Sequence, residues 1–372
     1  MKILIISDSF KGSLSSVEVC STLKEAILES HPDFAVSCFP FSDGGEGFLD
    51  ALELSLKEKV RLKSCVITSS FLKEKIKRRY LISSSHQAII ESAQCCSLVD
   101  VKERKNPLIT TSYGIGEMIQ DALDQGIRSF IITIGGTSTN DFGAGLACAL
   151  GVRFLNHSHQ AFIPTGGNLN EIEDIDISSL DSRILESHFE IYADVNNPLL
   201  GENGATYTYG PQKGASKEDL VLLEKNMCHL NALIQKKYHI DVSSLPGAGA
   251  GGGIGASLLF FCEAEMKSGG EELFKLLDID SQLKDTDLVI TGEGKIDSTT
   301  LKNKCISILA KKCKEKRVPV LAIGGKIEEN SKEGLQEMGV TSFLSLNTRV
   351  DKEETIQKLK EVIQDYLNQH EL

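Results

Sequence analysis

The chain has 372 residues, 41% hydrophobic and 25% charged, a globular composition with enough apolar material for two domains. A formal net charge of -12 excludes a general affinity for nucleic acid, whose phosphate backbone needs a basic face. The ten cysteines include no CxxC, and several sit inside apolar runs, so they read as buried thiols of a reducing compartment and not as a disulfide framework.

Lys2–Ser7 is a short apolar β-branched run, the pattern of a buried parallel strand. It is too short for a signal peptide or a membrane span, so the expected location is the cytoplasm, with no membrane partner. Asp8–Ser13 follows as a loop. Ser15 and Glu18 make a capping-box pattern before a stripe of Val17, Cys20, Leu23 and Ile27. A second strand, Ala35–Phe41, runs into SDGGEG, and a helix opens near Phe48.

The texture then changes. Val60–Thr68, Ile76–Ser83 and Gln87–Ser92 alternate polar and apolar residues and predict neighbouring antiparallel strands. The basic run Lys73–Arg79 falls at strand spacing and reads as a solvated strand face. A helix over Ser112–Gln125 precedes strand Ser129–Ile134, which enters a glycine-rich segment at Gly135. A close-packed helix is expected over Gly143–Leu150. Strand Phe189–Val195 leads into Asn196–Gly214, and Ser216 opens a helix with Leu220, Leu223, Met227, Leu230 and Ile234 at helical spacing. A further helix runs through Phe260–Phe261. Three βα units close the chain, with strands Leu288–Thr291, Val318–Ile323 and Ser342–Leu346. Units of this type at both ends predict an open α/β domain built from both termini and interrupted by a second α+β domain. In such sheets ligands bind at the carboxyl ends of the strands.

Glycine gathers in six knots: Ser42–Gly47, Gly135–Gly145, Gly201–Gly214, Gly247–Gly255, Gly292–Asp297 and Gly324–Lys326. Each also carries an acid, an amide or a lysine, except that Gly247–Gly255 is nearly all small residues. Glycine lets backbone N–H groups approach a large anion, acids can hold a divalent cation, and lysines neutralise phosphate. Gly247, Gly249 and Gly252 satisfy G-x-G-x-x-G, but no predicted strand precedes them, so a nicotinamide site is disfavoured. A phosphate-cradling loop at a helix N-terminus is the preferred reading of Gly249, Gly251 and Gly252, and a close-packed helix entrance the plainer one. Walker and protein-kinase signatures are absent.

Asp43 and Glu46, three apart on a tight loop, could face one cation, or Asp43 could cap the next helix. Asn140 and Asp141 follow a hydroxyl run, Thr137–Thr139, suited to phosphate oxygens. Asp194 stands at a strand end as a general base for a hydroxyl, Asn197 lies beside it, and Lys213 offers a point charge for a moving phosphate. Glu293, Lys295 and Asp297, with Lys304 downstream, place acid and lysine on one loop. Asp8 and Lys11 repeat the idea at the first strand end.

These segments together, DSFKGSLSSVEV from Asp8, SDGGEG, GGTSTNDFGAG, ADVNNPLLGENGATYTYGPQKGA, PGAGAGGG and DLVITGEGKIDSTT, resemble the bacterial glycerate kinase family of the non-P-loop type, in order and over essentially the whole chain. The resemblance implies ATP-dependent phosphorylation of D-glycerate with Mg²⁺, 2-phosphoglycerate being the favoured product. It implies a flavodoxin-like α/β domain, taken as 1–60 with 256–372, an inserted mixed α/β domain, 61–255, and a cleft between. Asp8, Lys11, Asp194 and Lys213 are the catalytic candidates. Gly44, Gly45, Asn140, Asp141, Asn197, Gly249, Gly251, Gly252, Glu293 and Lys304 are candidates for substrate and nucleotide, and Asp43, Glu46 and Asp297 for the metal. The chain departs from the family pattern at Ser7, where proline is usual, at GGTSTND for GGSATND, and at Thr299–Thr300 and Asn303–Lys304. An NAD-dependent oxidoreductase and a non-catalytic glycerate-binding sensor are the alternatives. Oligomeric state is not legible.

Overall fold

The protein is described from a computed structural model. It describes residues 1–42, 44–302, 304–347 and 351–369. The chain separates into two compact units, one of residues 1–43, 50–58 and 268–372 and the other of residues 44–49 and 59–267. Among the described residues the strands are β1 (Lys2–Ser7), β2 (Ala35–Pro40), β3 (Val60–Thr68), β4 (Lys75–Ser83), β5 (Ala88–Glu91), β6 (Ser129–Thr133), β7 (Arg153–Leu155), β8 (Ala161–Phe162), β9 (Asp174–Asp176), β10 (His188–Tyr192), β11 (Glu265–Lys267), β12 (Leu288–Ile296), β13 (Val320–Ile327) and β14 (Ser342–Ser345).

The first unit carries one open, wholly parallel sheet in the order β14–β13–β12–β1–β2. Counted within the unit this is 2-1-3-4-5, the flavodoxin-like order. Helices cover both faces of such a sheet, which is why β1 reads as an unbroken apolar run. Ile3, Ile5, Ile290, Leu321 and Ile323 meet Val19, Leu23 and Ile27 of helix Ser16–Ser30 and Leu359, Ile363 and Leu367 of helix Lys352–Gln369 in one core. The first of these helices starts where Ser15 Oγ accepts from the Glu18 amide at 3.2 Å and Glu18 accepts from the Ser15 amide at 2.8 Å, the reciprocal cap written in the sequence.

One expectation is corrected here. The GEGKI segment is no loop: β12 continues to Ile296, pairing Glu293 with Gly324, Lys295 with Lys326 and Ile296 with Ile327 of β13. Two glycine-containing stretches far apart in sequence support each other's extended backbone. Neither looks like a strand alone, because glycine lacks the side-chain packing that marks one.

The second unit holds a sheet ordered β11–β10–β6–β5–β4–β3. β4 runs antiparallel to both β3 and β5, as the alternating pattern predicts. β5, β6, β10 and β11 are parallel. Phe130 and Phe189 stack at 4.6 Å between ring centroids across β6 and β10. Ile132 and Ile191 share their core with Ile115, Met118 and Ile119 of helix Tyr113–Asp124. Helix Lys217–Tyr238, capped by Ser216 with Asp219, buries Leu223, Met227, Leu230 and Ile234 in a second core. Strand β10 ends at Tyr192, short of the expected Val195, and the small sheet β8–β7–β9 has no counterpart in the expectations. All ten cysteines are free, and most are buried, with Cys262 pushed up to about 12 by desolvation. Among the described residues no helix is long and apolar enough to cross a membrane.

Candidate functional site

In the first unit the strand order reverses between β1 and β12, and their carboxyl ends carry the acids and lysines. The Asp8 amide donates to the Gly292 carbonyl at 3.0 Å, and the Ser7 hydroxyl donates to the same oxygen at 3.1 Å. This ties the Asp8–Lys11 loop to β12. Asp8 turns a carboxylate oxygen back onto the Ser9 amide at 2.6 Å, and Lys11 is exposed.

On β12 Glu293 is only 5% exposed. Its carboxylate accepts from the Thr300 hydroxyl, and Lys304 Nζ lies 3.7 Å from its other oxygen. Burial pushes the Glu293 carboxyl above its ordinary range, against the pull of Thr300, Lys304 and Lys11. Lys304 also donates to Thr299 at 2.8 Å. Asp297 accepts from the Thr299 hydroxyl at 2.6 Å and pairs with Lys295 at 3.1 Å, so its pKa falls to about 2. Glu293, Lys304, Thr299, Thr300 and Asp297 thus form one connected polar group. Asp43 and Asn303 lie outside the described residues.

In the second unit the loops at the carboxyl ends of β5, β6 and β10 meet the Gly44–Gly47 turn. Gly44 lies against the Tyr192 carbonyl at the end of β10. A Cβ on Gly135 would stand 2.5 Å from the Gly45 Cα, so the two backbones touch and only glycine fits. Glu91, buried at the end of β5, accepts from the Gly47 amide at 3.1 Å and the Leu49 amide at 3.0 Å and fixes the turn. Glu46 is exposed on that turn, beside an open cavity of about 240 Å³ that Glu91, Arg78 and Asp100 also line. Asp194 is half-buried two residues beyond β10. Asn197 is committed within its own loop: its amide group donates to the Asn203 carbonyl at 2.8 Å, and its side-chain oxygen accepts from Tyr209 at 2.6 Å.

Behind this rim the residues are fully enclosed. Asp141 accepts from the Ser112 amide and hydroxyl, both at 2.8 Å, and from the Gly143 amide at 3.2 Å. Desolvation raises its pKa, and those donors oppose the rise. Asn140 donates to Thr206 at 3.2 Å. Lys213, expected as a charge presented to phosphate, is 2% exposed and donates to the Thr139 carbonyl at 2.6 Å. In the Pro211–Lys213 turn only Lys213 is buried, with Pro211 and Gln212 exposed, and burial, which is set by tertiary packing, is not written in the local sequence.

The Gly247–Gly255 knot is likewise internal. The Gly249 amide donates to the Asn197 carbonyl at 3.1 Å and the Gly252 amide to the Gly249 carbonyl at 3.3 Å, and Gly251 lies against Ile134. No strand enters the knot, which removes the dinucleotide fingerprint from consideration. Two residues were not among the site candidates read from sequence. Glu91 is a single acid at the end of an apolar run, a signal for a buried carboxylate. Thr300 is an unremarkable hydroxyl whose partner lies seven positions away.

Comparison with known proteins adds the family. The glycerate kinase family model matches residues 3–370. A glycerate kinase of Bacillus cereus is 38% identical over 350 residues, covering 94% of this chain and 91% of that protein. A glycerate 2-kinase of Escherichia coli is 41% identical over 332 residues, covering 89% and 86%. A crystal structure assigned as glycerate kinase 2, from Salmonella typhimurium LT2, superposes with a TM-score of 0.81 at 34% identity and covers 99% of this chain.

Proposed function

We infer the function from one premise, that this chain belongs to the glycerate kinase family. It is an ATP-dependent glycerate kinase, and the oxidoreductase and sensor alternatives find no support among relatives named as kinases. The structural observation that carries the reading furthest is the polar group of Asp8, Lys11, Glu293 and Lys304. It stands at the carboxyl ends of adjacent strands where the strand order reverses, the place where open α/β sheets take ligands.

We propose that the γ-phosphoryl group of ATP passes directly to a hydroxyl of D-glycerate, giving 2-phosphoglycerate and ADP. The 2-position follows the name of the E. coli relative. Positioning and charge stabilisation carry such a transfer, with no covalent enzyme intermediate. Asp194 accepts the hydroxyl proton. Lys11 and Lys304 neutralise phosphate or substrate carboxylate charge, and Asp8 and Glu293 orient them. The backbone at Gly44 and Gly45 lies along the nucleotide, and Asn140, Asn197 and the Gly249–Gly252 knot support its loops. The expected division, 1–60 with 256–372 and an inserted 61–255, differs from the two compact units at residues 44–49 and 256–267, which pack with the second unit, the latter because β11 pairs with β10; a cytoplasmic setting belongs to the same proposal.

The described residues hold no cluster of three metal-binding side chains. A Mg²⁺ brought by the nucleotide takes only one or two protein carboxylates and leaves the rest to phosphate and water. Glu46 and Asp297 are the described candidates. Asp297, with its low pKa, stays ionised at any working pH. When bound, the ion would neutralise charge on the phosphates.

A coupled assay of ADP release with Mg-ATP and D-glycerate tests the proposal. Turnover by the wild type and a loss of about 10²- to 10⁴-fold in a folded Asp194→Asn variant are expected. A variant with the wild-type rate removes Asp194 as the base.

A further inference from the structure

Lys213 is an acid–base group in the wrong place for the role its sequence context suggests. Its ammonium is enclosed, donates to the Thr139 carbonyl at 2.6 Å, and stands 2.9 Å from where a Cβ on Gly252 would be. That same Cβ would meet the Thr139 carbonyl oxygen at 2.1 Å and the Asn140 Cα at 2.9 Å, so lysine, residues 139–140 and Gly252 pack into one knot with room only for glycine. Other bonds tie the same segments: the Phe142 amide donates to the Gly252 carbonyl at 3.2 Å, and the Thr137 hydroxyl to the Gly251 carbonyl at 3.2 Å. One acceptor in this knot, Asn140 Oδ1, is buried without a hydrogen-bond partner. The other end of the same loop, Gly135, rests on Gly45.

We propose that Lys213 is a positioning residue: a tethered cation that pins the 135–143 loop through the Thr139 carbonyl, and through that loop sets the Gly44–Glu46 turn, without touching substrate or phosphate. Its catalytic consequence rests on the kinase reading above, while its structural consequence does not. The charged and titratable groups facing it are Cys96, whose thiol burial pushes up to about 12, and Asp141, whose pKa burial also raises. Desolvation outweighs the pull of both and lowers the lysine from its ordinary 10.5 to about 8. The folded form therefore releases this proton before the unfolded form does. The cost of the buried charge is fully present below pH 8, and stability from this group rises between pH 8 and 10.5.

Three measurements on the full chain decide the matter. In Lys213→Met, amide exchange over residues 137–142 accelerates, and kcat falls by up to about 10²-fold through the misplaced loop. A lysine that touches the transferring phosphate would instead lose turnover with exchange unchanged, and that result overturns the proposal. Stability of the wild type relative to Lys213→Met rises between pH 8 and 10.5, and a flat difference contradicts it. Should the Met variant fail to fold, the Lys213 amine is titrated in the wild type by nitrogen NMR, with and without Mg-ATP and D-glycerate. A midpoint near 8 that ligands leave in place supports the positioning role; a midpoint that ligands drive back toward 10.5 marks direct phosphate contact and ends it. Absence of wild-type turnover would remove the kinase reading and leave the exchange and titration results standing.

Discussion

Two polar clusters in this chain use the same residue types and are built differently. In the first unit, Glu293, Thr299, Thr300, Asp297 and Lys304 form a connected group at a strand end, with Lys11 exposed nearby. In the second unit, Asp141 and Lys213 are sealed, and each is committed to backbone groups of its own protein. Acids and lysines in glycine-rich segments therefore do two jobs. Where the cluster opens to solvent, at Lys11, Lys295 and Asp297, it can meet a ligand, although Glu293 itself is buried; where glycine lets backbones close over acid and lysine, they hold loops together.

The contrast can be broken by mutation. The largest effect is expected at Asp141, because Asp141→Ala removes a buried carboxylate and strands the Ser112 and Gly143 donors. A loss of about 3 kcal/mol in urea unfolding is expected, and a loss below about 1 kcal/mol would place this residue outside the structural class.

Glu293→Gln should act chiefly on catalysis, lowering kcat/KM by roughly 10- to 10²-fold. Its stability effect has a defined sign. The folded carboxyl holds its proton above the unfolded value of 4.5, so the contribution of Glu293 is full below that pH and is lost as pH rises through the folded pKa. Unfolding at pH 4 and pH 7 should thus show the wild type losing ground to the variant at the higher pH; the opposite trend would mean that the Lys304 contact dominates burial.

The smallest effect on stability belongs to Asp297→Asn. Lys295 is half-exposed, so less than about 1 kcal/mol is expected at neutral pH. Because the Asp297 pKa is lowered, that contribution is present above 3.8 and disappears as pH falls through about 2. A larger loss of stability would place Asp297 with Asp141 in the structural class.

The same contrast explains what the sequence discloses. Local signals were legible: the Ser15–Glu18 cap, the Ser216 cap, the alternation of β3 and β4, and the acid–lysine pairs at the ends of β1 and β12. Features created by distant segments were not. The extension of β12 to Ile296 depends on pairing with β13, and β8 is only two residues long, too short to show a period. Lys213 and Thr139 are 74 positions apart, so nothing near either one announces that the lysine is buried. Glu91 holds the Gly47–Leu49 turn across more than forty positions for the same reason.

Phosphorus NMR of the purified chain with Mg-ATP and D-glycerate tests the central claim most directly. Stoichiometric loss of the ATP γ-signal with appearance of ADP and 2-phosphoglycerate is expected. ATP left unchanged by an enzyme that is folded would contradict it.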